Sequence, residues 1–98
     1  LAKQDLQFEW DNEKDSANQI KHGLSFNTGA SIFNHPTLEL VDDREDYGEV
    51  RYIALGRVEA TVLKVVYTIR AEERYRIISV QRANRYEESS YYRSSFFE

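Results

Sequence analysis

A chain of 98 residues can bury one hydrophobic core but not two, so a single domain over 1–98 is expected. Hydrophobic residues at 41% and charged residues at 31% exclude a largely disordered chain, the lack of Cys excludes disulfides and thiol chemistry, and no apolar run reaches the roughly 20 residues of a membrane span. The net charge of −4 conceals a segregation: residues 1–50 hold four Lys/Arg against eleven Asp/Glu, whereas residues 51–85 hold eight against three, seven of the eight being Arg.

The absence of Cys predicts a home in the reducing cytoplasm, and the opening Leu1-Ala2-Lys3-Gln4-Asp5 lacks the apolar stretch of a signal peptide, which predicts a soluble protein. Met is missing, an initiator included, which is read as a start after a native residue or a tag remnant. Leu6, Phe8 and Trp10 alternate with Gln7, Glu9 and Asp11, the pattern of a half-buried strand. Asp11 is a good N-cap for a helix through Ala17 and Ile20, with Lys21 and His22 in its last turn and Gly23 as its C-cap. Ser25 caps a second helix carrying Phe26, Ala30 and Phe33, which Pro36 stops.

Thr37 to Val41 reads as a strand, and Asp42 to Gly48 as a charged turn or loop. Arg51 to Arg57, Thr61 to Arg70 and Arg74 to Ala83 have β-branched or aromatic cores joined by short polar connections, as in an antiparallel meander. Asn84 followed by Glu87 forms a capping pair for a third helix carrying Tyr86, Tyr91 and Tyr92. This order predicts an α+β domain with its helices on one sheet face. The expected core comprises Phe8, Trp10, Ile20, Phe26, Phe33, Ile53, Leu55, Val65, Tyr67 and Ile77.

No phosphate loop, dinucleotide fingerprint, nucleophile elbow or zinc-protease motif occurs. His22 and His35 match no metal-ligand spacing, and Asp42, Asp43, Glu45 and Asp46 lack the ordered oxygens of a calcium loop; neither a metal nor a cofactor is expected.

Phe8-Glu9-Trp10-Asp11, Lys14, Asn18, Lys21-His22-Gly23, Phe26, Phe33, Arg51-Tyr52-Ile53-Ala54-Leu55-Gly56, Val65-Val66-Tyr67-Thr68 with Arg70, and Arg76-Ile77-Ile78-Ser79 with Arg82-Ala83 form an ordered set. Together they resemble the BrnT toxin family from Phe8 to about Tyr92. Two departures stand out: Val80-Gln81-Arg82 follows Ser79 where the family commonly reads Ser-Ala-Arg, and Lys64 replaces an aliphatic residue. The resemblance implies a RelE-like fold, RNA cleavage that halts translation, and a BrnA-type antitoxin with a ribbon-helix-helix part. An antitoxin dimer carrying two toxins implies a 2:2 complex that reaches operator DNA only through the antitoxin.

RNA is cut without a metal when its own 2′-hydroxyl attacks the adjacent phosphorus. The protein must then hold the phosphate, offset the added negative charge and move two protons. Arg51, Arg70, Arg76 and Arg82 are the candidates for the first two tasks. On a regular strand Arg76, Ile78, Val80 and Arg82 share one face, and Arg70 and Arg76 flank a turn as potential cross-strand neighbours. The competing reading of these arginines is a set of surface ion pairs with the acidic first half. His22 and Lys21 are candidates for proton transfer, against a helix-capping histidine and a solvated lysine. Tyr67 is a further candidate, against a core aromatic, and Trp10 is read as core rather than as a base-stacking platform. The leading reading is a ribonuclease toxin with a positive sheet surface and an acidic helical side. Its rivals are a catalytically inactive RelE-like module that acts with an antitoxin in autorepression, and a direct DNA-binding module for which no helix-turn-helix is evident.

Overall fold

The computed structural model of the chain describes residues 6–71 and 73–94. The elements are β1 (Gln7–Glu9), α1 (Asn12–His22), α2 (Phe26–Ala30) with a 3-10 turn (Ser31–Asn34), β2 (Leu38–Asp42), β3 (Arg51–Val58), β4 (Thr61–Ala71), β5 (Arg74–Arg82) and α3 (Arg85–Tyr92). This is the expected α+β class, three helices and one five-stranded mixed sheet.

Local chemistry places the helix ends. Asp11 Oδ1 accepts the N–H groups of Glu13 at 2.8 Å and Lys14 at 3.2 Å, satisfying donors that the first turn leaves free. Gly23 ends α1 at φ 71°, a left-handed conformation that favours glycine, and its N–H returns to Gln19 C=O at 2.8 Å. Ser25 Oγ caps α2 by accepting Thr28 N–H at 3.0 Å. Asn84 and Glu87 make both bonds of a capping box, each 2.8 Å.

Strands β2 to β5 form an antiparallel meander, and β1 returns parallel to β5 at the far edge, giving the order β1-β5-β4-β3-β2. The central strand β4 is buried on both faces from Val62 to Thr68. On one face α1, α2 and the 3-10 turn cover Val65, Tyr67, Ala54, Ile77 and Val80 with Phe26, Ile32 and Phe33. Gly56 belongs to this face because a Cβ there would lie 2.7 Å from Ile32 Cβ. The helices do not share one face as expected. Tyr91 of α3 packs against Leu55 and Val62 on the opposite side, where Glu87 Oε2 also accepts Lys64 Nζ at 2.9 Å. Lys64 thus fastens the capping-box glutamate, and α3 with it, to the sheet.

Two expectations about facing are corrected. Ile20 is 88% exposed, because the inward side of α1 is polar rather than apolar. Asp15 accepts Phe26 N–H at 2.8 Å, and buried Asn18 donates to Leu24 C=O and Val80 C=O, both at 2.8 Å, while accepting Val80 N–H at 3.2 Å. Strand β1 pairs with β5 only from Arg74 to Arg76, so the Asn18 amide serves as strand partner for Val80 beyond its end. The second correction concerns β5, where Val66 pairs with Ser79 but Tyr67 pairs with Ile77. Ile78 is an extra residue, a β-bulge, and it resets the alternation. Arg76 therefore faces the α3 side with Thr68, whereas Val80 and Arg82 face the α1 side with Val65 and Leu63.

Candidate nucleic-acid site

The registers line up one transverse row on the α3 side, beyond the part that α3 covers. Asp42 pairs with Arg51, the pairing of Tyr52 with Tyr67 brings Arg51 beside Thr68, Thr68 pairs with Arg76, and Arg76 pairs with Glu9. Strands in a sheet lie roughly 4.8 Å apart, so Arg51 and Arg76 start about 10 Å from each other with Thr68 between them. Thr68 is 3% exposed, and its Oγ1 has no hydrogen-bond partner among the described residues. A buried hydroxyl without a partner is costly, and register sets this one between the strand positions of Arg51 and Arg76.

The arginines are ordered by neighbours. Arg51 lies 4.0 Å over the Tyr47 ring, a cation–π contact, and its Nε is 3.5 Å from Glu49 Oε2, within ion-pair range but without hydrogen-bond geometry. Arg70 Nη1 reaches the other oxygen of Glu49 at 3.6 Å, so two arginines converge on one carboxylate. The pairing of Ile69 with Tyr75 and of Ala71 with Arg74 leaves Arg70 as an unpaired bulge residue, turned to Glu49 rather than set opposite Arg76 as expected. Arg76 Nη1 donates to Glu9 Oε2 at 3.0 Å, and Arg74 Nε lies 3.9 Å from Glu9 Oε1. Asp42 is engaged separately: it accepts Arg44 Nε at 2.7 Å and Nη2 at 2.8 Å, and these bonds hold its carboxyl below the usual range.

Glu9 and Glu49 come from the acidic half of the sequence. Folding therefore interleaves the charges at this row instead of keeping acidity on the helical side, and the expectation of an electrically divided surface is corrected. The signal for Glu9 was present in the alternation of Phe8 and Trp10, which turns Glu9 toward the opposite face. Nothing local marks Glu49 or Tyr47, and Thr68, although part of the Val65-Val66-Tyr67-Thr68 set, is not singled out by it; their placement follows from register.

The other candidates lie elsewhere. Arg82 donates from Nη1 to His22 C=O at 3.4 Å, which joins Arg82, His22 and neighbouring Lys21 at the C-terminal end of α1. Arg82 is six residues along β5 from Arg76, roughly 20 Å, and on the other face, so one phosphate cannot touch both. Tyr67 is 1% exposed on the α1 side, its hydroxyl donating to Glu39 Oε1 at 2.8 Å. Burial, with the Glu39 bond, pushes this phenol far above its ordinary range, which suits a core aromatic and not a proton carrier. Trp10 packs edge-on to Phe26 at 6.1 Å, as a core residue does. Among the described residues no cluster of three or more His, Asp or Glu is arranged to hold a metal, and no helix is long and apolar enough to cross a membrane.

Comparison with known proteins gives this geometry a context. The crystal structure of the Brucella abortus ribonuclease toxin BrnT is similar, with a TM-score of 0.62 and 23% identity over 82% of this chain and 99% of that one, a likeness of fold. Among curated protein sequences none matches. A sequence model described as the ribonuclease toxin BrnT of type II toxin-antitoxin systems matches residues 10–87. That span runs from Trp10 into α3 and includes strands β2 to β5 with Arg51, Thr68, Arg70 and Arg76, so this chain belongs to the BrnT family of ribonuclease toxins.

Proposed function

We propose that the chain is an endoribonuclease that cuts RNA without a metal by in-line attack of the substrate's own 2′-hydroxyl. The new bond joins the 2′-oxygen to phosphorus, the bond to the 5′-oxygen breaks, and a 2′,3′-cyclic phosphate remains. One proton leaves the nucleophile and one reaches the departing oxygen. Arg51, Arg70 and Arg76 bind the phosphate and offset its added charge, while the Thr68 hydroxyl donates to a non-bridging oxygen. Glu9 and Glu49 stand beside these guanidinium groups, and either carboxylate can take the 2′-hydroxyl proton once phosphate replaces it on the arginines. Lys21, His22 and Arg82 contact a flanking part of the strand. Tyr67 supports the sheet.

The observation that carries this reading is the row in which a buried, unpartnered Thr68 hydroxyl lies between Arg51 and Arg76. The partner in this reading is a BrnA-type ribbon-helix-helix antitoxin in a 2:2 complex, which alone touches operator DNA and keeps the toxin inactive in the cytoplasm. A second reading, an inactive module that serves only in autorepression, is favoured by the carboxylates that neutralise each arginine in the row. Expression alone separates the two. Growth arrest by the wild type, absent with Arg76→Ala, retained in part with Arg82→Ala, and accompanied by cyclic-phosphate RNA ends formed in excess EDTA supports cleavage at the row. Arrest lost with Arg82→Ala and kept with Arg76→Ala moves the site to the end of α1.

A further inference from the structure

Asp42 and Arg51 stand opposite each other on β2 and β3. Cross-strand partners in an antiparallel pair carry their side chains on one face with Cβ atoms roughly 5 Å apart, and opposite charges so placed ordinarily join. Here Arg51 Nε is shielded from solvent and has no hydrogen-bond partner among the described residues, although the Asp42 side chain, 1% exposed, is its cross-strand neighbour. The carboxylate is committed to Arg44 instead. Arg44 Nε and Nη2 donate to its two oxygens at 2.7 and 2.8 Å, a two-pronged grip, and the Arg44 backbone N–H donates to Oδ1 at 3.3 Å. The same loop supplies Tyr47, whose ring lies 4.0 Å from the Arg51 guanidinium. Gly48 closes the turn behind it, with a φ of 74° that favours glycine and an N–H donated to Asp46 Oδ1 at 3.1 Å. The Tyr47 hydroxyl also helps, less strongly than Arg44, to hold the Asp42 carboxyl down, so one side chain links the acid and Arg51.

We propose that Arg44 and Tyr47 are positioning residues for Arg51: Arg44 withholds the Asp42 carboxylate from it, and the Tyr47 ring holds its guanidinium in place for an RNA phosphate. The inference rests on the reading above, in which Arg51 binds the phosphate. The two acids near Arg51 differ in what phosphate arrival would cost. Glu49 is 31% exposed and meets Arg51 at 3.5 Å without hydrogen-bond geometry, so it can turn into solvent when phosphate takes its place. Asp42 cannot turn out. A phosphate that displaced it from Arg51 would leave an uncompensated buried charge, which is strongly unfavourable. With Arg44 in place that exchange never has to occur. The ring complements this arrangement, because a π-face attracts the cation while the N–H groups in the guanidinium plane stay available for oxygen. As a source of stability alone the Arg44–Asp42 pair is weak, since Arg44 is more than half exposed.

The test measures binding of a 2′-O-methyl RNA oligonucleotide, which lacks the attacking hydroxyl and stays whole, by fluorescence anisotropy. Tyr47→Leu and Arg44→Gln are each expected to weaken binding roughly tenfold. Tyr47→Phe, which keeps the ring, and Arg44→Gln combined with Asp42→Asn, which removes the carboxylate along with its captor, are expected to restore it. The Arg51 Nε–H resonance, assigned by its loss in Arg51→Ala, should move in Tyr47→Leu and Arg44→Gln and return in the two restoring variants. Thermal melts identify the folded proteins, and Tyr47→Leu decides alone if Arg44→Gln does not fold. A lowered Tm with wild-type affinity in the folded variants makes the loop merely structural and overturns the inference. Weaker binding by Arg44→Gln with an unmoved Arg51 resonance makes Arg44 a phosphate contact in its own right and also overturns it. Arg51→Ala separates this inference from the reading beneath it. Unchanged binding there refutes Arg51 as a phosphate ligand, and its positioning with it, whereas binding lost in Arg51→Ala but unchanged in Tyr47→Leu refutes the positioning alone.

Discussion

Replacing Asn18 by Ala should weaken the fold more than any surface change. The side chain makes three hydrogen bonds, two to Val80 and one to Leu24, from a buried position between α1 and β5. Each is worth a net of about 1 kcal/mol, and alanine leaves the Val80 N–H and C=O without partners in a place too closed for easy hydration, so the loss is at least about 3 kcal/mol. A domain of this size has a total stability of roughly 5–15 kcal/mol, and a loss of 3 kcal/mol lowers Tm by roughly 12–24 °C. Asn18→Asp should be worse, because it keeps the acceptor for Val80 N–H but sets a carboxylate against two carbonyl oxygens. Urea titration followed by circular dichroism measures the change as a lower midpoint at constant slope. A midpoint for Asn18→Ala within about 1 kcal/mol of wild type refutes the argument that this amide completes the edge of β5.

Thr68→Val removes a buried hydroxyl that has no partner among the described residues, so stability should hold or rise by up to about 1 kcal/mol while RNA cleavage falls roughly tenfold. Equal cleavage by the two proteins shows that the hydroxyl does not meet the phosphate. Asp42, whose carboxyl is held below its ordinary value of 3.8 by Arg44, contributes stability that is present above that value and lost as pH falls through the lower folded one. Arg44 is more than half exposed, so the contribution is within about 1 kcal/mol; denaturation at pH 7 and pH 3 should show a smaller acid loss for Asp42→Asn than for wild type.

The elements were legible in the sequence because their boundaries are made locally. Asp11, Gly23, Ser25, Asn84 and Glu87 act within four residues of where they stand, and the β-branched runs of β3 to β5 have no helical alternative. Facing was less legible. Ile20 looked like core because apolar spacing was taken to define the inward side of α1, whereas Asp15 and Asn18 define it through bonds to backbone groups 11 and 62 residues away. The site was half legible. Arg51 and Arg70 converge on Glu49 and Arg76 lies across Thr68 from Arg51 by register, but Arg82, on the same strand as Arg76, belongs to the end of α1. Composition cannot separate them, since both lie in the basic segment.

The extra residue at Ile78 also changes how relatives should be compared. Arginines before it and arginines after it serve opposite sides of one strand, so a one-residue gap placed by letter matching can exchange a site residue for a flanking one. Alignments of β5 are better anchored on the inward residues, Ile77 and Val80, with the gap assigned to the position between Ile77 and Ser79. The same logic applies to engineering: deletion of Ile78 would send Arg74 and Arg76 toward the α1 side and Tyr75 toward the face that carries Thr68, exchanging the strand's two surfaces through one missing residue.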